Sequence, residues 1–225
     1  MRTIGLLLAL ATTTAGFGQV KGYQGNLGGT IGVGIPQGEF ADTWDKGMFT
    51  FGGHMTLPSR LLPFQWGFAF GYGIMGTRAR PVEVSQPELG TTEGRMAVRS
   101  KVLSYHPLLR FSPLHGKVRP YVDGLVGVRH FSTRSTITVD GLHEPLVRER
   151  YSSDLAWSTG WAAGLMVNLG TVGYIEGRVE RFYSGRASYV DPGSIAIDDQ
   201  GVLDANTLES GTGTLNLLVG VGFRF

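Results

Sequence analysis

"QWGFAFGYGIMG" (Gln65–Gly76) decides the fold. As an extended strand it places Trp66, Phe68, Phe70, Tyr72 and Ile74 on one side and Gln65, Gly67, Ala69, Gly71 and Gly73 on the other, because successive strand side chains point to opposite faces. In a soluble sandwich the bulky apolar face turns inward and the outer face is charged. Here the face opposing the aromatics is nearly devoid of side chain. That suits a narrow closed barrel, whose inward residues must share a small lumen while the aromatics point out to lipid.

The same period of two recurs seven times. "NLGGTIGVGI" (Asn26–Ile35) sets Leu27, Ile31, Val33 and Ile35 against glycine and threonine, and "FTFGGHMTL" (Phe49–Leu57) sets Phe49, Phe51 and Met55 against Gly52, His54 and Thr56. "KVLSYHPLLRF" (Lys101–Phe111), "RPYVDGLVGVRHF" (Arg119–Phe131), "WSTGWAAGLMVNL" (Trp157–Leu169) and the weaker "GYIEGRVERFY" (Gly173–Tyr183) continue it. "TLNLLVGVGFRF" (Thr214–Phe225) closes the chain with Leu215, Leu217, Val219, Val221, Phe223 and Phe225 on one face.

Eight strands result, and their links alternate in length. Residues 58–63, 112–117 and 170–172 are short turns, whereas 36–47, 77–96, 133–153 and 184–211 read as long loops. The expected fold is all-β: a closed eight-stranded antiparallel up-and-down transmembrane β-barrel. Such barrels carry short turns at the periplasmic end and long loops outside the cell. Both termini are therefore expected in the periplasm, and the protein in the cell outer membrane.

Residues 1–18, with Arg2 ahead of an apolar run and a small-residue finish, read as a secretory signal peptide, leaving residues 19–225 as one barrel domain. Cysteine is absent, so an exported disulfide-stapled scaffold is excluded. The formal charge is +2, and falls to +1 without Arg2, so no field favours nucleic acid.

The whole mature chain resembles the small eight-stranded outer-membrane β-barrel superfamily of Gram-negative bacteria, which contains the OmpA transmembrane domain and OmpX. "GVGIPQGEF" (32–40) and "VRPYVDGLVGV" (118–128) are similar to stretches in its porin-like members, especially those of Bacteroidota. The terminal segment resembles the signal read by barrel-assembly machinery, with Gly220, Phe223 and Phe225 matching and Leu218 where a polar residue is usual. Unlike OmpA, no peptidoglycan-binding domain is expected after the last strand.

Inward positions collect His54, His106, Arg110, Asp123, Arg129, Glu176, Arg178, Glu180 and Arg224, expected to pair as a lumen polar network. A filled lumen points to a structural or interaction barrel acting through its long loops or outer wall. A narrow channel is one alternative. A second is an acyl hydrolase: His130 and Ser132, two apart on the lipid-facing side, resemble the His-x-Ser pair of outer-membrane lipid A deacylases. Thr133 and Arg134 depart from that family's following residues, and Glu144 and Asp154 are loose choices for the acidic partner. Asp198, Asp199, Asp204 and Glu209 form an acidic loop without the spacing of an EF-hand. No cofactor or metal is expected. The expected partners are outer-membrane lipid or lipopolysaccharide, the assembly machinery during insertion, and an envelope protein complex.

Overall fold

The computed structural model describes residues 24–59, 63–86, 90–114, 116–139, 147–191, 196–197, 203–204 and 207–225. The expected signal segment, Glu144, Asp198 and Asp199 lie outside them. The chain runs β1 (Asn26–Gln37), α1 (Glu39–Thr43), β2 (Met48–Pro58), β3 (Phe64–Gln86), β4 (Gly90–Phe111), β5 (Val118–Val139), β6 (Val147–Leu169), β7 (Gly173–Ser184), β8 (Arg186–Val190), β9 (Ala196–Ile197), β10 (Leu203–Asp204), β11 (Thr207–Gly211) and β12 (Gly213–Arg224). Strands β1 to β7 and β12 form a closed antiparallel barrel in the order β1-β12-β7-β6-β5-β4-β3-β2.

The seam is β12 against β1, paired without a break from Asn26↔Arg224 to Gln37↔Gly213. No helix among the described residues is long and apolar enough to cross a membrane; the strands cross instead. The outward rows are apolar and bare: Trp66 is 57% exposed, Trp157 63% and Val221 65%. On β4 that row reads Phe111, Leu109, Pro107, Tyr105, Leu103 before turning to Lys101 and Arg99. Nine residues of apolar strand match the thickness of a hydrocarbon core crossed at a tilt.

Two stretches expected as loops are strand. β3 and β4 stay paired from Gly76↔Ser100 out to Gln86↔Gly90, and β5 and β6 from Arg134↔Arg150 to Ile137↔Val147. The period-two signal fades there because neither face meets lipid, so nothing selects apolar residues on alternate positions, while the backbone ladder continues. β3 and β6, at 23 residues each, are roughly 75 Å long at about 3.3 Å per residue. That is nearly twice the length of β1, β2, β7 and β12, at 11 or 12 residues. The 184–211 link likewise contains a hairpin-like pairing, β8 with β11.

Tight turns gather at the mouth where the first and last described residues, Gln24 and Phe225, lie, the terminal mouth; Gly170, at φ 69°, supplies the left-handed backbone of the β6–β7 turn. The inward glycines do something different. A Cβ on Gly164 would sit 2.3 Å from the Tyr121 hydroxyl, and one on Gly222 would sit 2.3 Å from the Tyr174 ring. Each glycine leaves space that a neighbouring tyrosine fills, so glycine opposite aromatics in the sequence reflects a lumen packed to capacity. Replacing Gly164 with valine should therefore prevent Tyr121 from seating; the expected outcome is loss of the folded, heat-modifiable band on unboiled gels, whereas valine at outward Gly124, where a Cβ meets nothing within 4 Å, leaves it intact.

Candidate functional site in the lumen and at its mouths

Strand alternation alone delivers the polar residues to the axis: Arg110 on β4, Tyr121 and Asp123 on β5, Tyr174, Glu176, Arg178 and Glu180 on β7, Asn216 on β12 and His54 on β2. Arg110 grips Asp123 with both arms, Nε to Oδ1 at 2.7 Å and Nη2 to Oδ2 at 2.9 Å, with both side chains fully buried. Arg178 donates to the same carboxylate, to Glu180 Oε1 at 2.7 Å and to the Tyr121 hydroxyl at 3.2 Å. Tyr121 in turn donates to Glu176 Oε2 at 3.1 Å, and Asn216 Nδ2 donates to Glu180 Oε2 at 3.1 Å. His54 Nδ1 lies 3.6 Å from Glu176 Oε1, and its Nε2 lies 3.4 Å from the Tyr174 hydroxyl. The Arg110 guanidinium also stacks over the Tyr121 ring at 3.8 Å.

Six of the nine residues expected in the lumen network meet in this tier. The other three do not. His106 and Arg129 form a second tier further from the termini: His106 stacks on Phe182 at 4.6 Å, and Arg129 donates to the Thr212 carbonyl at 2.7 Å. Arg224 lies at the terminal mouth, its Nη2 donating to the carbonyls of Gly170 and Thr171 at 3.1 and 2.8 Å. Sequence alternation missed Tyr121, Tyr174 and Asn216, which are polar or aromatic on the inward parity and were readable as such. A cavity of about 30 Å³ beside the network, bordered by His54, Arg178, Glu180 and Asn216, has room for a water or two.

Above the second tier the distal mouth is closed by an apolar cap. Gly38, at φ 62°, turns the chain into α1, which tucks Phe40 and then Trp44 inward, at 0% and 2% exposure. Phe40 meets Tyr189 edge-on at 5.3 Å and Phe131 at 6.4 Å, with Met48, Met75 and Val102 in the same cluster. Hydroxyl contacts hold the cap from above: Thr43 Oγ1 with Tyr189 Oη at 2.6 Å, and Tyr189 Oη with Ser210 Oγ at 2.8 Å.

The His130–Ser132 pair is not joined. His130 Nε2 is 2.9 Å from Ser153 Oγ on the neighbouring strand. Ser132, although on the outward row, is only 3% exposed, and its hydroxyl has no hydrogen-bond partner. Both Asp154 oxygens accept backbone N–H groups, from Leu155 and Ser188, each at 2.8 Å. Imidazole and carboxylate are thus each turned to something else and the hydroxyl is left without a partner, because the β5–β6 register puts Ser153 opposite Ser132 and within reach of the ring. In the acidic loop Glu209 pairs with Arg186 at 3.1 Å, and Asp204 lies on β10. Among the described residues no group of three or more His, Cys, Asp or Glu is placed to hold a metal. Of the expected assembly signal, Phe223 and Phe225 face outward at 48% and 40% exposure, while Gly220 faces the lumen beside Thr30 and Glu176.

Closed eight-stranded pairing, an apolar outer band and a polar filled lumen define a transmembrane β-barrel of the outer-membrane type. No family model matches the sequence, and no curated protein matches it. Among solved structures the chain is similar to Neisserial surface protein A (9% identity, 91% of this chain and 98% of that one, TM-score 0.43). It is also similar to a major outer membrane protein from Thermus thermophilus (14%, 90% and 99%, 0.49) and to the N-terminal β-barrel domain of Pseudomonas aeruginosa OprF (15%, 90% and 99%, 0.39).

Asp123 joins two arginines, whereas removing Arg110 still leaves Asp123 paired with Arg178. Asp123→Ala should therefore destabilise the barrel by about 3–5 kcal/mol, the usual consequence of stranding buried charge, and Arg110→Met by clearly less. Urea unfolding from lipid vesicles followed by tryptophan fluorescence reads both; equal losses would contradict the shared-carboxylate arrangement.

Proposed function

We propose that the protein is a non-conducting outer-membrane scaffold that holds a rigid sheet above the outer leaflet as an interaction surface, with both termini in the periplasm. The observation that carries this reading is the continuation of β3 to β6 as one hydrogen-bonded sheet well past the apolar band. A loop would sample many shapes; a paired sheet keeps one. The lumen below it is obstructed twice, by the charged tier and by the Phe40–Trp44–Tyr189 cap, so transport is not what this geometry favours. An ion crossing would have to displace the Arg110–Asp123–Arg178 cluster and then an apolar plug.

The outer wall supports the orientation. Immediately beyond the band, Arg99, Lys101 and Arg134 line a shallow concavity of about 420 Å³ with Tyr72, Thr77 and Thr136, and among the described residues no carboxylate lines it. Cations at that depth suit the phosphates of lipopolysaccharide in the outer leaflet.

The chain has no cysteine, so single cysteines report topology cleanly. Thr138→Cys should react with a membrane-impermeant maleimide on intact cells, and Thr171→Cys only after the outer membrane is permeabilised; the opposite pattern inverts the orientation. Planar bilayers containing the purified barrel should show no conductance steps, and steady steps would favour the narrow channel instead. Neutralising Arg99, Lys101 and Arg134 together to glutamine should lower co-purifying lipopolysaccharide at least threefold.

A further inference from the structure

The terminal mouth holds a second cluster of cations that the scaffold reading does not use. A cavity of about 500 Å³ opens there, lined by Gln24, Lys117, Arg119, Asn168 and Arg224 together with two turn glycines. Three of those side chains are cationic and none is acidic. Arg119 is only 4% exposed, and its Nε has no hydrogen-bond partner. Arg224 spends Nη1 on Gln24 Oε1 at 3.2 Å and Nη2 on the Gly170 and Thr171 carbonyls, which orients the guanidinium and leaves Nε without a partner. Asn168 Nδ2 donates to the Gly116 carbonyl, fixing the amide at the cavity wall.

Among the described residues no carboxylate forms an ion pair with Lys117, Arg119 or Arg224. Of the lumen carboxylates, Asp123 is held by Arg110 and Arg178, Glu180 by Arg178 and Asn216, and Glu176 accepts from Tyr121 through Oε2, while its Oε1 faces His54 at 3.6 Å. Like charges confined around one concavity repel, and a buried guanidinium with an idle donor loses the hydrogen bond that water gave it. Both costs vanish if an oxyanion sits between the arginines, where charge-assisted bonds from guanidinium forks are strongest to phosphate or carboxylate geometry.

We propose that the terminal mouth is a binding site for a phosphate ester, held by Arg119 and Arg224 with Lys117 as a third cation. The rim favours a lipid-borne phosphate as one source: Leu114, Val118, Leu169 and Val172 surround the mouth on the outside and are each about half exposed, offering a path for acyl chains while the headgroup turns inward. A soluble phosphate ester is the other source. The site depends only on the barrel fold and not on the scaffold reading or on which side of the membrane the mouth faces.

The test uses the full mature barrel in uncharged detergent. Titration with glycerol 3-phosphate by calorimetry addresses the soluble source. Native mass spectrometry from nanodiscs of phosphatidylglycerol, against nanodiscs of an uncharged diacylglycerol glycolipid, addresses the lipid source. Saturable binding in either arm is expected, weakened at least tenfold by Arg119→Gln and by Arg224→Gln and unchanged by Lys46→Gln, which lies in the distal 38–47 link. Heat-modifiable migration confirms that each variant is folded; should Arg119→Gln not fold, Arg224→Gln and Lys117→Gln carry the comparison. Absence of saturation in both arms, or binding that the folded mouth variants leave unchanged, overturns the proposal.

Discussion

Backbone pairing is the constraint from which the rest follows. In hydrocarbon an unpaired N–H or C=O finds no water, so a spanning sheet cannot keep an edge. The unbroken β1–β12 seam from Asn26↔Arg224 to Gln37↔Gly213 removes the last edge in the membrane-facing region. With eight strands, closure fixes a lumen barely wide enough for side chains. Everything inward must then be either small or packed with great economy, and the pairing of Gly164 with Tyr121, and of Gly222 with Tyr174, is how this chain meets that demand.

Filling the lumen with charge is a consequence of the same inversion. The outer face must be apolar, so the core is the one place where polar residues avoid lipid. Two arginines converge on one carboxylate of β5: Arg110 stands directly opposite Asp123 on the neighbouring strand β4, and Arg178 reaches it from β7, two strands away in the barrel. The carboxylate thereby ties β7 to β5 across the intervening β6, a link that the backbone ladder does not make directly. The tier is thus a cross-brace as well as a plug, and a missing partner is felt on three strands at once.

How much of this the sequence disclosed depended on whether lipid was in contact. Gln65–Ile74 was legible because lipid on one side and a crowded lumen on the other impose opposite residue choices at alternate positions. From Thr77 to Gln86 the same strand continues with water outside, and the selection that made it readable stops while the hydrogen bonding does not. His54, Arg110, Asp123, Glu176, Arg178 and Glu180 were placed inward by parity alone. Their division from His106 and Arg129 was not legible, because height along the axis depends on strand stagger and tilt, which no single strand records. The cap escaped for another reason: Phe40 sits in, and Trp44 just after, a five-residue helix too short for any periodic signal. Ser132 shows the limit of parity, since it lies on the outward row and is nevertheless buried.

The two obstructions in the lumen differ in kind, and that difference bears on where activity can reside. A charged cluster alone could pass protons along rearranging hydrogen bonds, and an apolar constriction alone could open by wetting. In this protein the two are stacked in series: the cap around Phe40, Phe131 and Tyr189 is built of apolar contacts, and the cavity beside the tier beneath it has room for a water or two. On the proposed scaffold reading, recognition falls to the outer wall and the two mouths of the barrel. Those surfaces carry unbalanced cations at two heights, Arg99, Lys101 and Arg134 beyond one edge of the band and Lys117, Arg119 and Arg224 at the other. In a chain whose charged residues nearly cancel overall, the lumen pairs its arginines with Asp123 and Glu180 while both rims carry cations, an arrangement that on the proposed reading directs electrostatic attraction to anionic groups at the membrane boundary.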